Sequence, residues 1–459
     1  MSVSERPAAT GVAGDLLDIA DRIVGRARAD EQVEAVVRRA AHTEVRAYQG
    51  EVESLSSAES QGVGVRVVVG ERQGFAYAGS LDEEVIAEVI DEARDNAAFA
   101  TPDEYLGLAE PDGVPVPDLD LFRPSLAAFP TGKKVDLALE LERAVQAADP
   151  RITGVESAEF VDAMGEGCVV TNTGIRTSSR STACYVATYC LATEGDETQT
   201  GFGFSVGREP SDLDLSVAAA DAARRATRLL GATKPPSARV TVVLDPYVTA
   251  QLLGILGGTL SGEAVQKGRS LFADRLGEDV ASPLLTLIDD PTNPVAYTAS
   301  VTDGEGLASR RNPLIEGGVL QQFVHNAYTA RKAATRSTGN AVRAGFASTP
   351  GVGCRALSLA PGSLDQEAIL RQVGDGVLIS SVAGLHSGVN PVSGDFSTGA
   401  EGLRIAGGSL GEPLREFTLA STIQRMLKDV LAVGSDVEWL PMSAAGVSLA
   451  IHDVTISGV

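Results

Sequence analysis

Cysteine and histidine, the side chains that most often hold transition metals, are scarce: four of each in 459 residues. The cysteines are Cys168, Cys184, Cys190 and Cys354, with no CxxC among them and nothing to suggest a secreted disulfide framework. Cys184 and Cys190 are an even number of residues apart. In one regular strand they face the same side, too far apart to bridge, so reduced buried thiols are expected. The histidines, His42, His325, His386 and His452, are each isolated in sequence, and a lone histidine is more often structural than a ligand. Basic charge is short as well: 38 Lys and Arg against 61 Asp and Glu leave a net charge of −23. That balance argues against a phosphate-binding surface, so no nucleic-acid partner is expected. Arg331, Lys332, Arg336 and Arg343 remain candidates for a local basic patch. Residues Met1–Gly14 lack the cationic start and apolar run of a signal peptide, and no apolar stretch approaches membrane-span length. A cytoplasmic protein with no membrane partner is expected. There is no P-loop, nucleotide fingerprint or EF-hand; Gly62-Val63-Gly64 lies in a strand pattern and opens no helix.

The chain is too long for one ordinary core, and two domains are the natural prior. Glycine is plentiful, at 49, which suits turns and strands. Residues 1–14 read as a mobile tail. Asp15 can cap a helix through about Ala29. Strand-like segments follow at Val33–Arg39, Glu44–Tyr48, Val52–Ala58, Gly62–Val69 and Gln73–Ala78, with hairpin turns at Gln49-Gly50 and Gly70-Glu71. Ser80 and Glu83 read as a capping box for a helix through about Ala98. Residues 101–131, rich in Pro and Asp, read as a long surface connection. A helix from about Lys134 to Ala148 precedes strands near 152–160, 168–172, 175–182, 185–192 and 198–206, and a helix from Leu215 to Leu230 closes the half. Strands grouped by hairpins favour an α+β domain with a mostly antiparallel sheet over residues 15–233.

Lys234-Pro235-Pro236 is the best domain boundary, since Pro-Pro cannot continue a helix. Residues 237–459 then read as a β-rich domain, sandwich- or barrel-like, with segments such as Val319–His325, Ala356–Leu359 and Leu403–Ala406 as strands. Only two helices are convincing: one starting at Asp245-Pro246, an N-cap followed by Pro, and one from Ser421 to about Leu431.

Motifs along nearly the whole chain carry a resemblance. They are Glu51–Leu55, Gly62–Val67 and Gly74–Ala76 in the first half. In the second half they are Ser261–Phe272, Leu276–Val280, Asp289-Asp290, Gly318–Phe323, Tyr328–Asn340, Val389–Ala400 and Glu416–Ile423. In this order they make the chain resemble the TldD/PmbA family, and within it the PmbA (TldE) branch. The resemblance implies an α+β domain on a β-rich one, assembled as two-chain particles. TldD-type chains look like zinc peptidases and PmbA/TldE-type chains like their partners in a heterodimeric protease. That protease is associated with removing leader peptides and degrading small unfolded proteins. An older family label links it to DNA gyrase, for which the acid balance gives no support.

In TldD-type chains, H-E-x-x-x-H supplies two zinc ligands and the base, with a later cysteine as third ligand. Histidines five apart point about 140° apart on a regular helix, so such a helix must be locally rewound. Laid on that pattern, this chain has Leu253 and Gly258 at the histidines, Gly254 at the glutamate and Ala445 at the cysteine. None carries a zinc-binding atom or a base. The resemblance therefore implies no catalytic residue, metal or cofactor in this chain, with zinc in a TldD-type partner and a peptide or small unfolded protein as substrate. Gly257-Gly258 reads either as a helix C-cap or as a place where another backbone comes close. Arg331, Lys332, Thr338, Gly339 and Asn340 read either as substrate or partner contacts or as a solvated loop. A stand-alone metallopeptidase with an unrecognised site and a homodimeric peptide-binding protein are the alternatives.

Overall fold

The computed structural model describes residues 14–459. The expected tail lies outside them apart from Gly14, which opens a helix running to Val24 with Leu16, Ala20 and Ile23 buried along one side. Six strands then build one antiparallel sheet: β1 (Gln32–Tyr48), β2 (Glu51–Val69), β3 (Arg72–Ala78), β4 (Ile152–Thr171), β5 (Arg176–Glu194) and β6 (Glu197–Gly207). Their order across the sheet is β3-β2-β1-β4-β5-β6. Each outer trio is flanked in sequence by two helices: Gly14–Val24 and Glu83–Phe99 around β1–β3, and Thr131–Ala148 and Leu215–Thr227 around β4–β6. The half is thus the same helix–three-strand–helix unit used twice, joined through the β1–β4 pair.

Both expected hairpin turns form. Gln49 and Gly50 (φ 55° and 78°) and Gly70 and Glu71 (φ 55° and 62°) are left-handed at both central positions, as a two-residue turn matching strand twist requires. The strands are longer than expected. The two segments read in Val33–Tyr48 are one strand, as are those in Val52–Val69, and β4 and β5 each merge two more. Side chains at Ala40–Thr43 and Glu59–Gln61 lie over no apolar core and lose the alternation, but the main-chain ladder runs on beneath them. The Ser80–Glu83 capping box does not form: the helix starts at Glu83 after Asp82, and Ser80 bonds the Asp82 carboxylate instead.

Residues 101–130 run largely over the surface, as expected, but are anchored at four positions. Leu108, Ala109, Leu121 and Leu126 are buried. Ala109 packs with Leu307 and Ala327, and Leu121 with Ala296, Ala299 and Ala356, so the segment straps the two halves together.

In the second half the strand Ala238–Leu244 pairs in parallel with Gly376–Ala383 and antiparallel with Leu449–Ser457. Gly376–Ala383 continues to Asp395–Ala406 and then Ser409–Thr422, whose Thr418–Ala420 returns to Thr455–Ser457. That last pairing closes a barrel, joining the sheet to itself over three residue pairs. The fold class is α+β, as expected. The second expected helix is shorter, Ile423–Lys428, because Val430 already begins a strand. Of Val319–His325, only Val319–Leu320 is strand.

Helices cover one face of the six-stranded sheet; the other face meets the barrel half. Gly62 and Gly64 lie on that second face. A Cβ at Gly62 would sit 2.4 Å from the Phe346 ring, and one at Gly64 would sit 2.1 Å from the Phe346 carbonyl oxygen. The Gly-x-Gly of the sequence is therefore a flat seat for a loop of the second half. Beside it Glu34, 1% exposed, pairs with Arg66 (2.7 Å) and with Arg343, and Arg66 also faces Glu305 (3.6 Å).

Candidate functional site

The helix expected to carry the degenerate site runs from Pro246 to Thr259. Asp245 caps it, accepting from the Tyr247 N–H at 3.3 Å, and its carboxylate is also held by Arg225 (3.0 Å) and Arg228 (3.5 Å) from the first half. Pro246 occupies the first turn, where its missing N–H costs nothing. Val248, Leu252, Leu253 and Leu256 anchor the helix in the main core. It is regular α-helix throughout.

That regularity decides where the positions point. Leu253 is 1% exposed and faces the core. Gly254 and Gly258, one turn apart, are exposed, and a Cβ at either would meet nothing within 4 Å. Gly257 is packed shut: a Cβ there would lie 2.5 Å from Leu357 Cδ1. Two side chains at 253 and 258 would leave this helix on different sides, so the geometry as well as the residue types departs from a two-ligand site. Ala445 is buried in the short strand Ala445–Gly446. That strand lies on the first turn of the same helix, with the Gly446 Cα so close that a Cβ would be 2.1 Å from the Pro246 carbonyl oxygen.

Gly254 and Gly258 form part of the floor of a cleft of about 480 Å³. Its walls include Glu263, Lys267, Arg269, Val352, Cys354, Pro391 and Ser443. Burial, with the nearby Asp289 charge adding to it, pushes the Cys354 thiol well above its ordinary value, so it sits as a neutral thiol rather than a metal-binding thiolate. Pro391 lies in the segment Asn390–Gly399, whose Asn, Ser, Asp and Thr residues read from sequence either as a binding loop or as ordinary turns. Ser261 caps the short helix Gly262–Gln266 that follows, accepting from the Ala264 N–H at 3.2 Å.

The segment 331–340 does not line this cleft. Arg331 donates to the Tyr105 (3.2 Å) and Gly107 (3.0 Å) carbonyl oxygens and to that of Leu108, clamping the strap to the second half. Lys332 lies 5.9 Å from the centres of the Tyr105 and Tyr328 rings. Thr338 Oγ1 receives the His325 N–H (2.8 Å). Gly339 is left-handed (φ 70°), and a Cβ there would sit 2.6 Å from the Ala308 carbonyl oxygen. Asn340 is 0% exposed and donates to the buried Asp289 carboxylate at 2.6 Å. Asp289 also accepts from the Arg355 and Ala356 N–H groups (2.8 and 2.7 Å). Arg331, Gly339 and Asn340 thus brace the interior, while Lys332–Arg336 are exposed, and none of the segment lines this cleft. Of the basic patch, Arg343 is spent on Glu34.

The four cysteines are free, and burial raises the thiols of Cys168 and Cys184 to about 12 and that of Cys190 to about 11. His325 is 7% exposed with Nδ1 3.2 Å from Thr329 Oγ1, and burial lowers it. Among the described residues no three or more His, Cys, Asp or Glu side chains converge in a way that could hold a metal ion. No helix among them is long and apolar enough to cross a membrane.

Three domain models of one family match the chain: PmbA/TldA metallopeptidase domain 1 over residues 33–97, the central domain over 124–230 and the C-terminal domain over 237–458. The Metalloprotease PmbA of Escherichia coli O157:H7 is 28% identical over 412 residues, spanning 89% of this chain and 88% of that one. Among solved structures, TldE from Thermococcus kodakarensis superposes with a TM-score of 0.87 at 23% identity, covering 97% of this chain and 100% of the other. A proposed DNA gyrase modulator of Thermotoga maritima superposes with a TM-score of 0.89 at 23% identity, covering 96% and 99%.

Proposed function

The chain belongs to the PmbA/TldD metallopeptidase family, and from that premise we propose that it is a non-catalytic subunit of the PmbA/TldE type. It works beside a TldD-type zinc subunit in a two-chain, cytoplasmic peptidase that processes leader peptides or degrades small unfolded proteins. One observation carries the proposal. A cleft opens over this helix, yet the positions that should hold ligands and base are Leu253, Gly254, Gly258 and Ala445, two buried and two bare. The zinc and the water-activating base then come from the partner. This chain contributes a cleft with a glycine floor, where an extended main chain can lie close to the helix.

Glycine inside a helix costs about 1 kcal/mol against Ala, so Gly254 and Gly258, facing open space, are kept at a cost to the lone chain. Untagged, dialysed chain is expected to hold far less than one zinc and to leave an unfolded peptide intact. Mixed with a TldD-type subunit it should support chelator-sensitive cleavage. One tightly held zinc per chain, or chelator-sensitive cleavage by the separated chain, overturns the reading. Gly258→Phe should melt like the parent chain while lowering the activity of the mixed complex. Normal melting with full activity would remove the cleft from the mechanism.

A further inference from the structure

A second cleft, of about 270 Å³, lies between the helix-free face of the sheet and the barrel half. Arg38, Arg343 and Arg355 line it together with Thr177, Ser178 and Ser179. Arg343 is committed to Glu34 and to the Gly304 and Ser348 carbonyl oxygens (2.6 and 2.7 Å). Arg355 uses one side-chain nitrogen, Nη1, on the Thr302 carbonyl oxygen at 3.0 Å. No carboxylate or carbonyl of the described residues pairs with Arg38; its charged neighbours include Arg343 and Arg355, both cations. The strand beneath is shaped for it, because a Cβ at Gly167 would sit 2.8 Å from Arg38 Cγ. Arg38 is an exposed residue at the rim of the cleft, and its guanidinium, without a protein partner on a chain with 61 acidic residues, points to an anion from outside.

We propose that this cleft binds a carboxylate group, gripped by the guanidinium groups of Arg38 and Arg355 with the Thr177 and Ser179 hydroxyls, on the same face of their strand, as further donors. Size limits the occupant. The volume falls below the roughly 300–1,000 Å³ of drug-sized ligand sites, so it admits an end group rather than a whole ligand. Charge narrows the choice. Asp303 also lines the cleft, 4% exposed, and burial with the neighbouring Glu305 charge pushes its carboxyl up to about 7. A phosphate dianion beside Asp303 meets more repulsion than a singly charged carboxylate. The site rests on side chains of this chain alone and holds whether or not a peptidase partner exists.

Calorimetric titration of the intact chain tests it with four probes: N-acetyl-alanyl-alanine, its C-terminal amide, acetate and inorganic phosphate. The acid should bind and the amide should not. Arg38→Gln should weaken the acid by about tenfold, the loss of one charge-assisted pair. Arg38→Lys, which keeps charge but not the fork, should fall between. Arg371→Gln, on an exposed helix elsewhere, should bind as the parent does. Tighter binding of the peptide acid than of acetate assigns the site to chain ends, and equal binding assigns it to free carboxylates. Amide binding as tight as acid, phosphate binding tighter than either carboxylate, no binding of any carboxylate, or unchanged affinity in both Arg38 variants would each overturn the proposal.

Discussion

In the first unit of the sheet, residues 14–99, Gly74 seats the closing helix: a Cβ there would lie 1.9 Å from the Ala93 carbonyl oxygen. In the second unit, residues 131–227, Gly201 and Gly203 do the same, with Cβ positions 2.1 and 1.9 Å from the carbonyl oxygens of Ala222 and Ala218. The helix face is therefore solved twice in one way. The opposite face is not. The first unit meets the barrel half through the bare positions Gly62 and Gly64 and the buried Glu34–Arg66–Arg343 charges. The second adds aromatic rings to its Asp245–Arg225–Arg228 ion pairs: Phe202 and Tyr247 lie 4.5 Å apart, Tyr185 and Tyr297 lie 6.3 Å apart, and Arg225 stacks 4.7 Å over Phe202. Charges in a dry interface fix one geometry but fail badly when one partner goes; aromatic surface is more forgiving. The first contact rests mainly on its buried charges, and the second shares the load between ion pairs and aromatic area.

The largest blow to that contrast should come from Glu34→Ala. It strands two buried guanidinium groups and is expected to cost about 3–5 kcal/mol, read as the fall in urea unfolding midpoint. Tyr247→Ala, at the half-buried aromatic contact, should cost less, about 2–3 kcal/mol. Equal losses would erase the distinction between the two contacts. Gly74→Ala and Gly203→Ala should cost about 1–2 kcal/mol each through helix displacement. They should be close to one another, since the seat is shared; a wide gap would show that the two units pack their helices differently.

The smallest effect is one of pH, and it belongs to the first contact. Asp303 holds its proton up to about 7 when folded, against an ordinary 3.8, because burial and Glu305 raise it more than its three backbone N–H donors lower it. Its stabilising share is full below the unfolded value and fades as pH rises through 7. Glu34 moves the other way. Burial raises it, but Arg343 and Arg66 together outweigh that, so its share holds above the ordinary 4.5 and fades as pH falls. Unfolding midpoints at pH 5 and pH 8 should therefore differ less in Asp303→Asn than in the parent chain. An unchanged difference would place the slope on other groups.

Local signals were legible. Gln49-Gly50 and Gly70-Glu71 read as turns, Asp245-Pro246 as a helix start and the Cys184–Cys190 spacing as same-face thiols, because each rests on neighbours in the chain. Leu253, Gly254, Gly258 and Ala445 could be placed on a pattern, but the split between buried and cleft-facing positions needed the helix phase and its packing. What escaped depends on partners far away in sequence. Arg331 reads as a basic loop residue until Gly107, 224 positions earlier, is seen against it. Gly62 and Gly64 read as strand glycines until Phe346 arrives. The doubled unit left no repeated motif to find, since its two halves share strand order rather than residues. β1 and β2 were each cut in two where no apolar core lay beneath them.

The barrel's closure also imposes an order in time. The strand Ala238–Leu244 is its earliest member along the chain, yet it pairs only with Gly376–Ala383 and Leu449–Ser457. The six-stranded sheet, by contrast, is complete in sequence by Gly207. As the chain emerges from a ribosome, the sheet can form while its barrel-facing side has nothing to rest on. More than two hundred residues, from Thr241 to His452, must appear before the ring can be joined. Long-range closure of this kind is slow, and waiting surfaces are where nascent chains go astray. The face that carries Phe202, Tyr185 and the Glu34 charges is thus the one that cellular folding assistance has to shield.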